Sequence, residues 1–475
     1  MDLTPQRTIV NICSENLIGT QNTADSLDAM AHITAESFNR LQKRLDQPPQ
    51  GAPSSQTLSK ILGVLFTTEE ADLVSVLPIN FFTVEEAAKL FKKSSNETEV
   101  ILNTLADKGI LFDFTTGETQ AYFLVATMAG FFEFSLMRLD GRFDKKVLSE
   151  LYYQYINTEE DFIRRIFSLE PSILRTLVYE DTIEKEDTAV VLDYERASHI
   201  IDTATCITVG TCYCRHKMEH LGKACNNPQE TCLTFNKSAE SLAKHGIAKQ
   251  ISQRQAHQIL QQCIELGLVQ IGDNVQESVN WICNCCSCCC EALTAYRKLG
   301  YNARITTNFV SEQGQETCTG CGDCVERCPV DAITLRKDNN GSDYACVDAA
   351  RCIGCGICVR FCPSGSRIMA RRKETAFVPK DTFERFILSA ISTGRLQNVL
   401  FDDYALWTHD VLRRFLGIFL SLEPAKRLLA QRQIRSRFLK ALTKTDYYTL
   451  FDRLHNDGQT ADYSHPELRQ GTGDG

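Results

Sequence analysis

The sequence predicts an α+β, mainly helical protein built from several domains. Three observations carry that expectation. The chain has 475 residues, enough for about two to four domains. Apolar residues recur at helical spacing through both flanking regions, broken by short alternating segments. Finally, there are 22 cysteines, and all but Cys13 fall between 206 and 362.

Composition narrows the function classes. Apolar content of 43% and charged content of 23% are those of an ordinary globular protein with a sizeable core. A net charge of −9 disfavours phosphate-driven binding to nucleic acid and suits a basic protein partner. The first residues lack a secretory charged-then-apolar pattern. No uninterrupted apolar run reaches membrane-span length, and the nearest, Tyr122 to Met137, carries Glu133. A cytoplasmic location follows as the expectation, and there abundant cysteine reads as metal-binding rather than disulfide-bonded.

Seven segments follow in order. Residues 1–56 are a polar helical segment ending in a Pro- and Gly-containing linker at 46–55. Residues 57–125 read as three helices and a pair of strands, with capping-box spacings at Thr83/Glu86 and Ser94/Glu97 and a glycine stop at Gly109. That order resembles a winged helix. Its third helix offers Glu97 and Glu99 rather than the Arg, Lys or Gln of a base-reading helix, so protein docking is favoured over DNA binding. Residues 126–205 read as helical. Met128 to Phe134 reads first as an apolar helix in the core, with a site lining as the alternative. Residues 206–295 are cysteine-rich, around a helix capped by Ser252 and Gln255. Residues 310–372 hold an internal repeat, 373–455 return to helix with a basic amphipathic run from Lys426 to Lys444, and 456–475 form a polar tail.

The repeat carries the most specific chemistry. Cys318, Cys321, Cys324 and Cys328-Pro329 are answered by Cys352, Cys355, Cys358 and Cys362-Pro363, each run spaced C-x2-C-x2-C-x3-C-P. Iron clusters want soft thiolates, and structural zinc sites favour paired rather than triplet spacing. The run resembles the bacterial two-cluster ferredoxins over about a tenth of the chain. The resemblance implies a βαββαβ unit holding two [4Fe-4S] clusters. The fourth cysteine of each run then crosses over. Cluster one takes Cys318, Cys321, Cys324 and Cys362, and cluster two takes Cys352, Cys355, Cys358 and Cys328.

Upstream stand Cys212, Cys214, Cys225 and Cys232, then Cys283, Cys285, Cys286, Cys288, Cys289 and Cys290, with Cys206 and Cys263 nearby. Six thiols in eight residues are not ordinary core packing, yet no continuous helix or strand could aim all six at one metal. A third Fe–S cluster in 206–290 is expected, with zinc as the alternative and Arg215 offsetting thiolate charge. The segment resembles one found upstream of ferredoxin modules in multidomain 4Fe-4S proteins, which adds architecture but no reaction.

The first functional expectation is an electron-transfer component that serves a partner oxidoreductase through two [4Fe-4S] clusters and a further one, in an anaerobic cytoplasm. A redox-sensing winged-helix regulator is the second. An oxidoreductase whose active site is the upstream centre is the third. No phosphate loop, dinucleotide fingerprint or Ser–His–Asp order identifies a catalytic residue or an organic substrate.

Overall fold

The computed structural model describes residues 35–116, 119–183, 191–300, 303–314, 316–402 and 412–413. The basic run from Lys426, the tail at 456–475 and most of the first segment lie outside them. Helix and strand are mixed, with several small sheets, in an α+β architecture.

The chain opens with helix α1 (residues 35–45) and continues through α2 (Gln56–Leu65) and α3 (Thr68–Val76). A short strand β1 (Phe82–Thr83) leads into α4 (Val84–Phe91) and α5 (Ser95–Asp107). Thr83 and Ser94 each accept from the amide three residues on, while Glu86 and Glu97 return the bond, so both helix starts are fixed locally. Gly109, at φ +75°, ends α5 and releases the chain into hairpin β2 (Leu111–Thr116) and β3 (Thr119–Leu124). The strand order is β1-β3-β2. Sequence periodicity anticipated the hairpin but not β1, which is too short to show alternation.

Residues 46–55, a linker by composition, are packed instead. Tyr155 donates to the Pro53 carbonyl at 2.8 Å, Gln50 to Met128 at 2.8 Å, and Arg395 to Pro48 at 2.7 Å. Proline lacks a donor but its carbonyl still accepts, which lets this strap join three distant elements.

Helices α6 (Phe132–Met137), α7 (Lys145–Tyr152) and α8 (Asp161–Phe167) follow, and an aromatic cluster of Phe131, Phe132, Tyr152, Tyr155 and Phe162 locks them together. The same stretch adds strand β4 (Leu174–Leu177), buried along its whole length. A fully buried strand shows no alternation, which hides it in a region that reads as helix.

Helix α9 (Ala197–Thr203), strand β5 (Ile207–Thr211), helix α10 (Tyr213–His220), strand β6 (Glu230–Phe235), helix α11 (Asn236–Lys244), strand β7 (Lys249–Gln250), helix α12 (Gln253–Glu265), strands β8 (Val269–Asp273) and β9 (Trp281–Cys285), and helix α13 (Glu291–Leu299) complete the central region. Its sheet is antiparallel in the order β4-β8-β9-β6-β5-β7. Ile207, Val209, Leu233, Phe235 and Ile282 pack beneath α9 and α12 on one face. Strand period sends the alternate residues Cys232, Thr234, Trp281, Cys283 and Cys285 to the other face.

The repeat folds as β10 (Phe309–Gln313), α14 (Asp323–Glu326), β11 (Ile333–Lys337), β12 (Asp343–Val347), α15 (Ile357–Arg360) and β13 (Arg367–Arg371), with β10 paired to β13 and β11 to β12. It is fused to the central sheet. Thr176 donates to Thr306 and Thr306 to Leu174, both at 2.9 Å, so residue 306 runs alongside β4. Buried Glu195 adds a polar tie, accepting from Arg371 at 3.2 Å. Helices α16 (Thr382–Ser392) and α17 (Leu396–Leu400) close the described chain. Asp402 then accepts from the Asn80 amide at 3.1 Å and pairs with buried Arg44 at 3.3 Å. Among the described residues no helix is long and apolar enough to cross a membrane.

Candidate metal centres

The repeat brings its eight cysteines into two groups. Cys318, Cys321, Cys324 and Cys362 line one small cavity together with Gly320, Gly322, Ser364 and Ser366. Cys328 lies instead with Cys352, Cys355 and Cys358. Three cysteines two residues apart wrap the start of each short helix, and the fourth arrives from the other half of the repeat. Gly322 and Gly356 precede the two helices at φ +88°, a conformation that costs a side-chain-bearing residue about 1–2 kcal/mol.

Residues 317–366 match the family model of the 4Fe-4S dicluster domain. The donor set fits that group: soft thiolates in two fours, with amides aimed at sulfur, such as Ala332 N–H donating to Cys328 Sγ at 3.2 Å. This dicluster domain covers about a tenth of the chain. A comparison of the chain with curated proteins and with solved structures returns no match.

The two groups of the dicluster domain differ in surroundings. Cys321 is exposed, and Cys318 and Cys362 are half-buried. Burial works against the Cys362 thiolate, but Ser366 and Ser364 hydroxyls bring it down to about 7. In the other group, Cys355 and Cys358 are buried and desolvation pushes both thiols up, Cys358 to about 11.

The ten upstream candidates also divide. Cys212 immediately precedes α10 and Cys214 sits in its first turn; Cys232 is on β6, Cys283 and Cys285 on β9, and Cys290 immediately precedes α13. Each thiol is a neighbour of the next. Cys212 lies against Cys214 and Cys232, Cys232 against Cys283, Cys283 against Cys285, Cys285 against Cys290, and Cys290 against Cys214. The result is a closed ring of six. Hydrogen bonds around it hold Cys212, Cys283 and Cys290 well below the ordinary thiol range and push Cys214, Cys232 and Cys285 above it. The starts of α10 and α13 both meet the ring, where helix dipoles favour negative charge.

The remaining four, Cys225, Cys286, Cys288 and Cys289, have sulfurs all within 4.8 Å of one another. Cys288 and Cys289 are 3.5 Å apart, Cys289 and Cys225 3.9 Å, and Asn227 donates to Cys225 Sγ at 3.3 Å. A tight turn at 287–289 separates these thiols from the strand that aims Cys283 and Cys285 at the ring. The six-in-eight run is therefore shared between two places. Cys263 packs in the core beside this group, where burial pushes its thiol up to about 12, and Cys206 lies at the start of β5.

Arg215 stands between the two groups and is fully buried. It donates to the Asn284 carbonyl at 3.1 Å and to the Thr231 hydroxyl. Burial alone would lower its pKa, but Cys212 and Cys286 outweigh it and the pKa is raised. Its Nε has no hydrogen-bond partner among the described residues. A guanidinium does not deprotonate in a protein, so its buried charge has to be met by thiolates. His216 and His220 face each other through their Nε2 atoms, and His216 Nδ1 faces the Leu136 carbonyl.

The ring opens on a cavity of about 370 Å³ whose other walls are largely apolar, including Phe112, Phe134, Ile271 and Phe383. Glu133 also lines it and accepts from the Ala129 and Gly130 amides, each at 2.9 Å. Burial pushes this carboxyl up to about 7. In the sequence, Glu133 shows only as an interruption of an apolar run, and that interruption was the available signal. Met128 and Phe134 line the cavity too, whereas Phe131 and Phe132 are core.

Tyr179 joins the dicluster domain to the upstream thiols. It is fully buried; its amide donates to the Cys355 carbonyl at 3.2 Å and its hydroxyl to the Leu268 carbonyl at 2.7 Å. Leu268 packs with Cys263, Cys286 and Cys289. No sequence pattern marks Tyr179, because its role exists only once β4 meets the repeat.

Proposed function

We propose that the chain is an iron–sulfur electron-transfer protein with its dicluster domain at one end of a relay and its upstream thiols at the other. In this reading Cys318, Cys321, Cys324 and Cys362 hold one [4Fe-4S] cluster, and Cys352, Cys355, Cys358 and Cys328 hold the second in a ferredoxin-like βαββαβ unit. Region 206–290 holds a further iron–sulfur cluster. When bound, the clusters supply one-electron transfer; the chain positions them and sets their surroundings.

The single observation that carries the reading is the contact through Tyr179, which touches Cys355 on one side and Leu268 of the upstream core on the other. Exposed Cys321 marks the side where a redox partner would dock, and buried Cys355 faces inward. The winged-helix-like segment 57–125 serves as a docking module. Its β2 residue Asp113 accepts from Ser241 of α11 at 2.7 Å, which occupies that strand with an intramolecular contact.

The cavity beside the ring favours a second reading, an oxidoreductase with its site there. Its largely apolar walls suit a small apolar substrate, and of its three carboxyls Asp273 pairs with Arg385 and Glu291 with Lys217, which leaves Glu133 to supply a proton.

Anaerobic purification with iron and sulfide counts, plus paramagnetic spectra on reduction, tests the first reading. About twelve irons or more per chain are expected, against about eight for the dicluster domain alone. Iron well below eight after reconstitution overturns it.

A further inference from the structure

The reading above needs one additional centre upstream; the geometry points to two, of different size. We propose that Cys225, Cys286, Cys288 and Cys289 bind a single zinc ion, and that the ring of Cys212, Cys214, Cys232, Cys283, Cys285 and Cys290 encloses the iron–sulfur cluster.

Spacing separates the two. Thiolates about 2.3 Å from one tetrahedral ion stand roughly 3.8 Å from each other. The four-thiol group has all its sulfurs within 4.8 Å, with Cys288–Cys289 and Cys289–Cys225 separations of 3.5 and 3.9 Å. A cubane puts an iron and a shared sulfide core behind every thiolate and holds its ligands farther apart than one ion can. Four thiolates with no fifth His, Cys or carboxylate donor grouped with them among the described residues describe a closed structural zinc site.

Space divides them in nearly the same way. All six ring thiols line the 370 Å³ cavity, which leaves room for an inorganic core. Of the four-thiol group only Cys286 reaches it; Cys225, Cys288 and Cys289 do not line it. Local structure explains how one run serves both: strand period directs Cys283 and Cys285 to one face, the 287–289 turn folds Cys286, Cys288 and Cys289 back towards Cys225, and the start of α13 returns Cys290 to the ring. Arg215, interacting with Cys212 and Cys232 on one side and Cys286 on the other, offsets negative charge for both.

The test is metal analysis of the full chain, purified anaerobically, beside two double variants. Unmodified protein is expected to carry about one zinc per chain. Cys225→Ser/Cys288→Ser should lose that zinc at least tenfold and keep its iron. Cys283→Ser/Cys285→Ser should keep zinc and drop to the roughly eight irons of the dicluster domain. Loss of iron from the four-thiol variant, or of both metals from both variants, overturns the assignment. Should the variants not fold, zinc X-ray absorption on the unmodified chain decides. Four sulfurs near 2.3 Å and no second metal shell support the proposal; a metal–metal shell or the lack of zinc overturns it. Zinc bound in this way with iron below eight would break the electron-transfer reading while still supporting the zinc site.

Discussion

The dicluster domain gathers eight cysteines from two short repeats, whereas the upstream ring gathers six from the start of α10, from β6, from β9 and from the start of α13. In the first region, local spacing sets which thiols meet. In the second, a whole sheet and two helix starts have to be in place before any of them do. Locally specified sites should therefore survive damage elsewhere, and distributed sites should not.

Removing Arg215 gives the sharpest test of that contrast. Arg215→Met keeps much of the volume but leaves buried thiolates without their cation. Breaking one side of a buried charge pair costs about 3–5 kcal/mol. Anaerobic denaturant unfolding should show a loss of that size, and iron analysis should show the upstream iron gone with about eight irons retained. If dicluster iron falls in parallel with upstream iron, the two regions form one cooperative site and the contrast fails.

The second test asks whether the dicluster domain is local in both halves. Gly322 and Gly356 are equivalent in the repeat and share φ +88°. A Cβ on Gly322 would meet only Leu335, at 3.8 Å. One on Gly356 would lie 2.7 Å from Thr182 Oγ1 and 3.1 Å from Tyr179 Cβ. Gly322→Ala should cost about 1–2 kcal/mol from the left-handed backbone alone. Gly356→Ala should cost clearly more and disturb the Tyr179 contact. Thermal unfolding of the two variants checks this, and equal losses would mean that the inner half is no more embedded than the outer.

The same contrast explains what could be read in advance. The C-x2-C-x2-C-x3-C-P runs are legible because their ligands lie a few residues apart, and the helix caps at Thr83, Ser94 and Ser252 are legible because each is a three-residue device. Density of cysteine flagged 206–290, but its division into a ring and a compact four depends on which strand Cys232 pairs with and where the 287–289 turn sends the chain. Strand β4 was hidden because burial on both faces erases alternation. Tyr179 and the packing of residues 46–55 were not legible at all, since each gains its role from partners more than seventy residues away, and Glu133 showed only as a charge interrupting an apolar run, because its cavity is enclosed by several elements.

The smallest expected effect concerns how the N-terminal region is held to the cysteine-rich one. His245 faces Asp107 Oδ1 at 2.5 Å and Asp113 Oδ1 at 3.0 Å, while Lys244 pairs with Asp113 and Arg138 donates to the His245 carbonyl at 2.6 Å. Burial disfavours the imidazolium, but bonds to Asp113 and Asp107 prevail and the His245 pKa is raised. Burial likewise works against the Asp113 carboxylate, yet His245, Lys244 and Ser241 hold its pKa well below the usual range. The histidine's stabilisation is complete below its unfolded value of about 6.5 and is lost as pH rises through the raised folded value. The aspartate's is present above its unfolded value of about 3.9 and is lost as pH falls through the depressed one. The contact should be strongest between about pH 4 and 6.5 and loosen above that window. Hydrogen exchange across β2 and the end of α5, corrected for intrinsic rates, should show protection falling with rising pH in the natural chain and no such fall in His245→Gln. A pH-independent profile in the natural chain would mean the histidine contributes through packing alone, while the upstream thiols, held by the sheet rather than by this contact, should keep their metals throughout.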